Sequence, residues 1–205
     1  MIENKETNLK SEKRRTKKEM EETVWAAFER LVIAEGFNSI TLVKLAREAG
    51  IKPSGIYRRF GDMDDLFEQY ARKNDFWLKK SISISPDLSP KENMIKMLTY
   101  LIDNLYDNEI MQRILLWVLT DTNKVTRQIA LGRDIESHFL INYFSKGLQN
   151  SGLNINVVNA IIVSGIYYLI MYRKIAPFST VDFSTEEGKE QMKQTVRDMV
   201  NRMID

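Results

Sequence analysis

The chain has 205 residues, of which 43% are hydrophobic and 28% charged, and its 30 Lys and Arg residues almost balance its 28 Asp and Glu residues. These are the proportions of an ordinary soluble protein. Because the chain has no cysteine, a disulfide framework and a thiolate metal site are excluded, which is typical of the reducing cytoplasm. The N-terminal segment MIENKETNLKSEKRRTKK lacks the apolar core of a secretory signal. We therefore expect a cytoplasmic protein.

Apolar residues recur at helical spacing along almost the whole chain, and no run alternates apolar and polar residues between hairpin turns. Residues 1–11 are predicted to be disordered. Helices are predicted at 12–35, from a cap at Thr41 to Gly50, at 53–60, at 63–80, and then near 90–106, 109–120, 124–150, 154–175 and 185–204. The sequence thus predicts an all-α fold, with a three-helix domain at 12–62 and a larger helical domain at 63–205.

Charge is distributed unevenly between the two predicted domains. Residues 1–60 hold 13 Lys and Arg against 9 Asp and Glu, whereas residues 61–205 hold 17 against 19. A basic head on a slightly acidic body suits binding to a polyanion, although an excess of this size also arises by chance.

Two short predicted helices that meet at Gly50 form the most informative pattern. A helix-turn-helix needs a tight turn, and glycine allows the positive φ that such a turn takes. Ile51 and Ile56 would lie beneath the second helix, and its outer face could place polar and basic side chains in a DNA major groove. The candidate DNA-binding residues are Lys52, Ser54, Gly55, Tyr57, Arg58 and Arg59, with Thr41 and Lys44 on the preceding helix. The alternative is a three-helix core with a solvated basic face.

A longer set of residues, in a fixed order along the chain, is more specific than a helix-turn-helix pattern alone. It comprises Ala27-Phe28, Gly36-Phe37, Ile40-Thr41, Leu45-Ala46, Ala49-Gly50-Ile51, Gly55-Ile56-Tyr57, Phe60-Gly61 and Leu66. This set resembles the DNA-binding domain of the TetR family of bacterial transcriptional regulators. The resemblance implies a homodimer, most often a repressor, whose recognition helices enter successive major grooves of a near-palindromic operator, about 34–36 Å apart.

The chain departs from the family pattern at three positions. Lys52 stands where a small capping residue is common, and Val43 stands where arginine is common. Met63, between Asp62 and Asp64, stands where lysine is common, so a phosphate contact there is not expected. We interpret the acidic run as the cap of the next helix rather than as a divalent metal site.

A second basic feature is the run Lys13-Arg14-Arg15 with Lys17-Lys18. These side chains could neutralise DNA phosphates or enter the minor groove as an arm. The alternative is a solvated helix start, because Glu12, Glu19, Glu21 and Glu22 are interleaved with them.

The resemblance also implies that the domain at 63–205 binds an effector and forms the dimer. A small apolar or amphipathic effector is expected in a cavity, although Met and aromatic side chains on helices are more often core. The candidate lining residues are Met97, Tyr100, Leu101, Met111, Leu115, Trp117, His138, Tyr143 and Tyr168. The last two helices would form half of a four-helix bundle between subunits, or would pack partly inside one subunit. The candidate seam residues are Ile161, Ile162, Gly165, Leu169, Val196, Met199, Val200 and Met203.

Membrane and enzyme interpretations have less support. The apolar run 157–172 is short for a membrane span and predicts a buried helix. The sequence has no Walker A, GxGxxG, HExxH or GxSxG motif and only one histidine, so we expect no catalytic residue, metal or cofactor. The predicted function is a DNA-binding transcriptional regulator that a small molecule releases from a palindromic operator. The alternative is a helical interaction protein or helical enzyme that keeps a helix-turn-helix core without using it on DNA.

Overall fold

The computed structural model describes residues 16–78, 82–145 and 152–203, and the described residues confirm the all-α prediction. They contain nine α-helices and a short 3₁₀ turn at Phe37–Ser39. The α-helices are α1 Lys17–Glu35, α2 Leu42–Ala49, α3 Pro53–Phe60, α4 Met63–Asn74, α5 Pro90–Asp107, α6 Glu109–Thr120, α7 Lys124–Ser145, α8 Ile155–Tyr172 and α9 Glu186–Met203. The predicted disordered tail at 1–11 lies outside the described residues.

Local signals fix the ends of the first three helices. Thr16 and Glu19 form a capping box, so α1 begins at Lys17 rather than at the predicted Glu12. Gly50 ends α2 with a φ of 61°, the left-handed conformation that glycine adopts without strain. Pro53 occupies the first turn of α3, where its missing N–H costs nothing. The predicted turn between α2 and α3 is therefore confirmed.

Helix α4 ends at Asn74, although the sequence predicted a helix to Lys80. Its end is set by Asp75, whose extended backbone stops the helix and whose carboxylate accepts the N–H groups of Trp77 and Leu78 at 3.0 and 3.3 Å. The same carboxylate is bound by Arg133 of α7. A contact between residues so far apart in sequence is not visible in helical periodicity.

The first of two buried hydrophobic clusters joins the N-terminal helices to the rest of the chain. It is built around the rings of Phe28, Phe37 and Tyr70. Trp117 of α6 stacks on Phe37 with ring centroids 4.4 Å apart, and the Trp117 indole N–H donates to Asn38 at 2.9 Å. Helix α4 packs against α3, α6 and α7, so it contacts both halves of the chain.

The second cluster lies among α5, α8 and α9, with contributions from α6 and α7. Lys189 and Lys193 of α9 reach Asp103 of α5 at 3.4 and 3.1 Å. The Lys189 ammonium also lies 4.8 Å from the centroid of the Tyr106 ring. These contacts fix α9 against α5.

The apolar helix α8 is not the buried helix that the sequence predicted. By length and composition it is apolar enough to cross a membrane, yet only 33% of it is buried. Ile162, Ile166 and Ile170 face the second cluster, whereas Val157, Ile161 and other apolar side chains are exposed. The prediction failed because a helix that is apolar on every side gives no periodicity to show which face is covered.

Candidate nucleic-acid interface and effector cleft

The outer face of α3 carries three polar side chains at helical spacing. Ser54, Tyr57 and Arg58 are exposed, whereas Ile56 and Phe60 are buried in the first cluster. The Tyr57 side chain is 60% exposed, which is a large fraction for an aromatic residue. These three make no side-chain hydrogen bond or ion pair with any described residue. Lys52, at the N-cap of α3, is also exposed and provides no side-chain cap.

Two predicted contacts lie on a different side of α3. The guanidinium of Arg59 hydrogen bonds with the carboxylate of Glu21 on α1, and this holds the pKa of Glu21 below its usual range. A Cβ added to Gly55, one turn earlier, would lie 3.9 Å from Cε of Met20, also on α1. Gly55 and Arg59 therefore lie on the side of α3 that is turned toward α1 and are partly buried, whereas the prediction placed them on the outer face. Residues four apart lie on the same face of a helix, so the spacing of Gly55 and Arg59 could have shown that they share a face that differs from the face of Tyr57.

Thr41 and Lys44 have local partners. The Thr41 hydroxyl accepts the backbone N–H of Lys44 at 3.3 Å, which confirms the predicted cap of α2. The Lys44 ammonium lies 2.7 Å from the Glu35 carboxylate and lowers the pKa of that group. Because its charge is already matched, Lys44 is a weaker phosphate ligand than Arg58.

The acidic start of α4 is a cap, as predicted. The Asp62 carboxylate accepts the N–H of Asp65 at 2.9 Å, and the Asp65 carboxylate accepts the N–H of Asp62 at 3.2 Å. Carboxylates of this chain thus occupy amide groups that would otherwise be free to hold a phosphate. The second basic feature is described only in part, because Lys13, Arg14 and Arg15 lie outside the described residues. The Lys18 ammonium lies 3.9 Å from the Glu22 carboxylate.

This helix-turn-helix falls inside a segment that matches a known family. Residues 26–70 match the family model of the bacterial regulatory proteins of the tetR family. In these 45 of its 205 residues the chain is similar to the TetR family. The match begins within α1 and ends within α4, so it covers the three-helix domain and its junction with the rest of the chain.

Known regulators resemble this chain over part or most of its length. An uncharacterized HTH-type transcriptional regulator of Haemophilus influenzae is 37% identical over 60 residues, which are 29% of this chain and 32% of that relative. The match thus spans about a third of the relative's length. A crystal structure of a TetR-family transcriptional regulator from the same organism has a TM-score of 0.62 and 20% identity, over 93% of this chain and 99% of that one. BioQ with its natural double-stranded DNA operator has a TM-score of 0.51 and 15% identity, over 89% and 98%. At these identities the likeness to solved structures shows the fold alone.

The nine residues that were predicted to line one effector cavity do not share a cavity in the structure. Leu101, Met111 and Leu115 are core residues of the second cluster. Trp117 packs against the N-terminal helices, and Tyr143 hydrogen bonds with Asn93 at 3.2 Å. The remaining four are divided among three hollows: Met97 and Tyr100 line one of 210 Å³, His138 another, and Tyr168 a third.

A cleft of about 450 Å³ lies between α7 and α8. Its largely buried residues, which we call the cleft floor, are Trp77, Arg133, Asn159 and Tyr167. Sequence reasoning found His138 at its edge but missed the floor, because its residues come from three distant segments of the chain.

The predicted dimer residues separate into two groups. Ile162, Val196 and Val200 are buried within one subunit, as the alternative expected, although Ile162 and Val196 also line the groove between α8 and α9. Ile161 and Met199 are exposed, and Gly165, Leu169 and Met203 are partly buried. An apolar groove of 260 Å³ runs between α8 and α9 and includes Ile161, Gly165, Leu169 and Met199.

Proposed function

We propose that this TetR-family chain is a sequence-specific DNA-binding regulator that places α3 in the major groove. A single observation carries the proposal: Ser54, Tyr57 and Arg58 form an exposed polar face of α3 that no described residue engages, whereas Arg59 is paired with Glu21. Polar groups without a partner on a helix of this size are suited to base edges and phosphates. The BioQ complex with DNA, which shares the fold, is consistent with this use.

Each side chain of this face has a suitable chemistry. Arg58 can donate two parallel hydrogen bonds to a guanine or hold a phosphate, and the Ser54 hydroxyl can bind either kind of base edge. The Tyr57 ring can pack on a thymine methyl group or bind a phosphate through its hydroxyl. Lys52, at the start of α3, suits a phosphate. Because Arg59 is paired with Glu21, the proposal gives it no contact with DNA.

We further propose that the regulator is a homodimer, formed through the groove between α8 and α9. The exposed apolar side chains of α8 lie beside this groove, and a second copy related by a two-fold axis would cover them with the same surface. Two copies of α3 would then meet two half-sites of a near-palindromic operator.

Replacing Ile161 with glutamate is expected to break the dimer. The side chain is 63% exposed in one subunit, so the free subunit should fold normally. In a two-fold interface the charge is buried twice, and the dimer dissociation constant should rise at least about 100-fold. Sedimentation velocity over a concentration series measures it. Leu131→Glu is a matched control, because Leu131 on α7 is also 63% exposed. An equal effect of both changes would contradict the assignment of the groove.

In the proposed cycle the protein is a cytoplasmic repressor, and a small molecule releases it from the operator. The effector would favour a spacing of the two copies of α3 that does not fit successive major grooves. Because α4 packs against both the helix-turn-helix and α7, it is the element through which the change would pass.

Selection of bound sequences from random duplexes tests the proposal directly. It should return a short near-palindrome with half-sites about one helical turn apart. With four to six phosphates neutralised per dimer, the logarithm of affinity should fall with the logarithm of salt concentration at a slope of roughly −4 to −5. If no sequence is enriched and no duplex binds at low salt, the alternative of a helical interaction protein or enzyme is favoured instead.

A further inference from the structure

Asn159 is the feature of the cleft between α7 and α8 that the packing does not explain. The residue is only 8% exposed, and no hydrogen-bond partner satisfies its side-chain oxygen. No described residue bonds the side-chain nitrogen either. Leaving a buried amide unpaired costs about 1–3 kcal/mol, so a core position of this kind would ordinarily hold leucine. Asn159 lines the cleft, and its side-chain nitrogen, unlike the oxygen, is not fully buried, so its N–H groups can donate to a ligand there.

Two other groups of the cleft floor also have hydrogen-bond donors to spare. The phenol oxygen of Tyr167 accepts the indole N–H of Trp77, so its own proton has no acceptor among the described residues. Burial raises the pKa of Tyr167 to about 12, which keeps that proton in place at neutral pH. Arg133 uses Nε and Nη2 on Asp75, at 2.8 and 2.6 Å, and leaves Nη1 unused. The floor therefore presents up to three unfilled donors.

The charges of the cleft disfavour an anion as the acceptor. The positive charge of Arg133 is already balanced by Asp75. Asp134, which also lines the cleft, is exposed and forms no ion pair in the described part of the chain. Arg133, Asp75 and Asp134 together sum to a negative charge. An uncharged oxygen acceptor suits the donors without opposing Asp134.

We propose that this cleft binds a small amphipathic molecule through an uncharged carbonyl group, which accepts hydrogen bonds from the cleft floor. The apolar part of the molecule would lie against Ala130, Ile141, Ala160 and Val163, which line the rest of the cleft. A volume of about 450 Å³ is within the usual range for small-molecule sites.

The floor is joined directly to the end of α4. Arg133 binds Asp75, the residue that stops α4, and Tyr167 binds Trp77 two residues later. A molecule that draws Arg133 or Tyr167 toward itself would therefore move the C-terminal end of α4. This consequence for DNA rests on the function proposed above, whereas binding in the cleft does not.

Three probes with one skeleton test the ligand chemistry: 3-phenylpropanamide, 3-phenylpropionate and 3-phenylpropylamine. Calorimetry on the full chain without DNA should find the amide bound at least about tenfold more tightly than the amine, because the protonated amine has no acceptor for the donors of the cleft floor. The propionate should bind more weakly than the amide. Tightest binding by the amine or the propionate, or no binding of any probe, would overturn the proposal.

Asn159→Leu distinguishes a ligand-binding role from a structural one. The change should abolish the preference for the amide and leave the melting temperature equal or higher, because it removes an unpaired buried amide. Asn142→Leu, at an exposed position of α7 outside the cleft, should alter neither quantity. Asn159→Ala replaces the leucine variant if that protein does not fold. A lower melting temperature with amide binding retained would show that Asn159 is structural.

A separate measurement keeps this proposal distinct from the function proposed above. The affinity for a selected duplex is measured with and without 3-phenylpropanamide. If the amide binds and no duplex binds, the proposed ligand site is supported and the proposed DNA-binding function is refuted. Duplex binding with no amide binding would refute the cleft alone.

Discussion

Replacing Arg133 with methionine should lower the free energy of unfolding by about 3–5 kcal/mol, because it leaves a buried carboxylate without its cation. Asp75 is 0% exposed, and its two oxygens serve Arg133 and the backbone N–H groups of Trp77 and Leu78. Methionine keeps much of the apolar stem of arginine, so the loss reports the charge rather than the packing. Chemical denaturation, followed by far-UV circular dichroism, measures it.

Two further variants test whether the loss of stability comes from the unpaired Asp75 charge. Arg127→Met removes an exposed arginine from the same helix and should change the stability by no more than about 0.5 kcal/mol. Asp75→Asn keeps an acceptor for the two backbone N–H groups and lets Arg133 turn toward the cleft, so its cost should be smaller, about 1–2 kcal/mol. A loss below about 1 kcal/mol for Arg133→Met would mean that water or another cation reaches Asp75, contrary to the structure.

The double change Tyr57→Ala with Arg58→Ala should reduce the affinity for a selected duplex at least about 30-fold, or about 2 kcal/mol. Both side chains are exposed and neither supports the core, so the stability should stay within about 0.5 kcal/mol of the original. Fluorescence anisotropy with labelled duplexes measures the affinity. The comparison with an unselected duplex shows whether the side chains read bases or hold phosphates, since an equal loss on both indicates phosphate contact.

The control for this pair is Tyr100→Ala with Arg127→Ala. These residues match the pair in type and are exposed, but they lie on α5 and α7, away from α3. Their removal should leave duplex affinity unchanged. If affinity survives the loss of Tyr57 and Arg58 instead, α3 is not the helix that enters the groove.

The elements that the sequence predicted well are those fixed by neighbouring residues. The turn at Gly50, the proline start of α3 and the caps at Thr41 and Asp62 all depend on contacts within four residues, which a sequence pattern can display. The exposed face of Ser54, Tyr57 and Arg58 follows from the same local periodicity. Most helix bounds in the larger domain were predicted to within a few residues for this reason.

What the sequence could not predict depends on distant partners. Glu21 lies 38 residues from Arg59, and Asp75 lies 58 residues from Arg133. The pair of Glu21 and Arg59 turns that arginine toward α1. The pair of Asp75 and Arg133 lies where α4 ends, before the predicted end at Lys80. Helical periodicity shows that a side chain lies on one face of a helix but not what packs against that face. For this reason the cleft floor was missed.

The three tryptophans of the chain lie at three different junctions. Trp25 packs on Phe60 at the end of α3, with ring centroids 4.9 Å apart. Trp77 lies in the cleft floor, and Trp117 stacks on Phe37 between the N-terminal helices and α6. Because indole emission depends on the polarity and the quenching groups around each ring, the protein carries its own optical reporters. Variants with a single tryptophan would record, in real time and without an added label, which junction moves first when a small molecule binds.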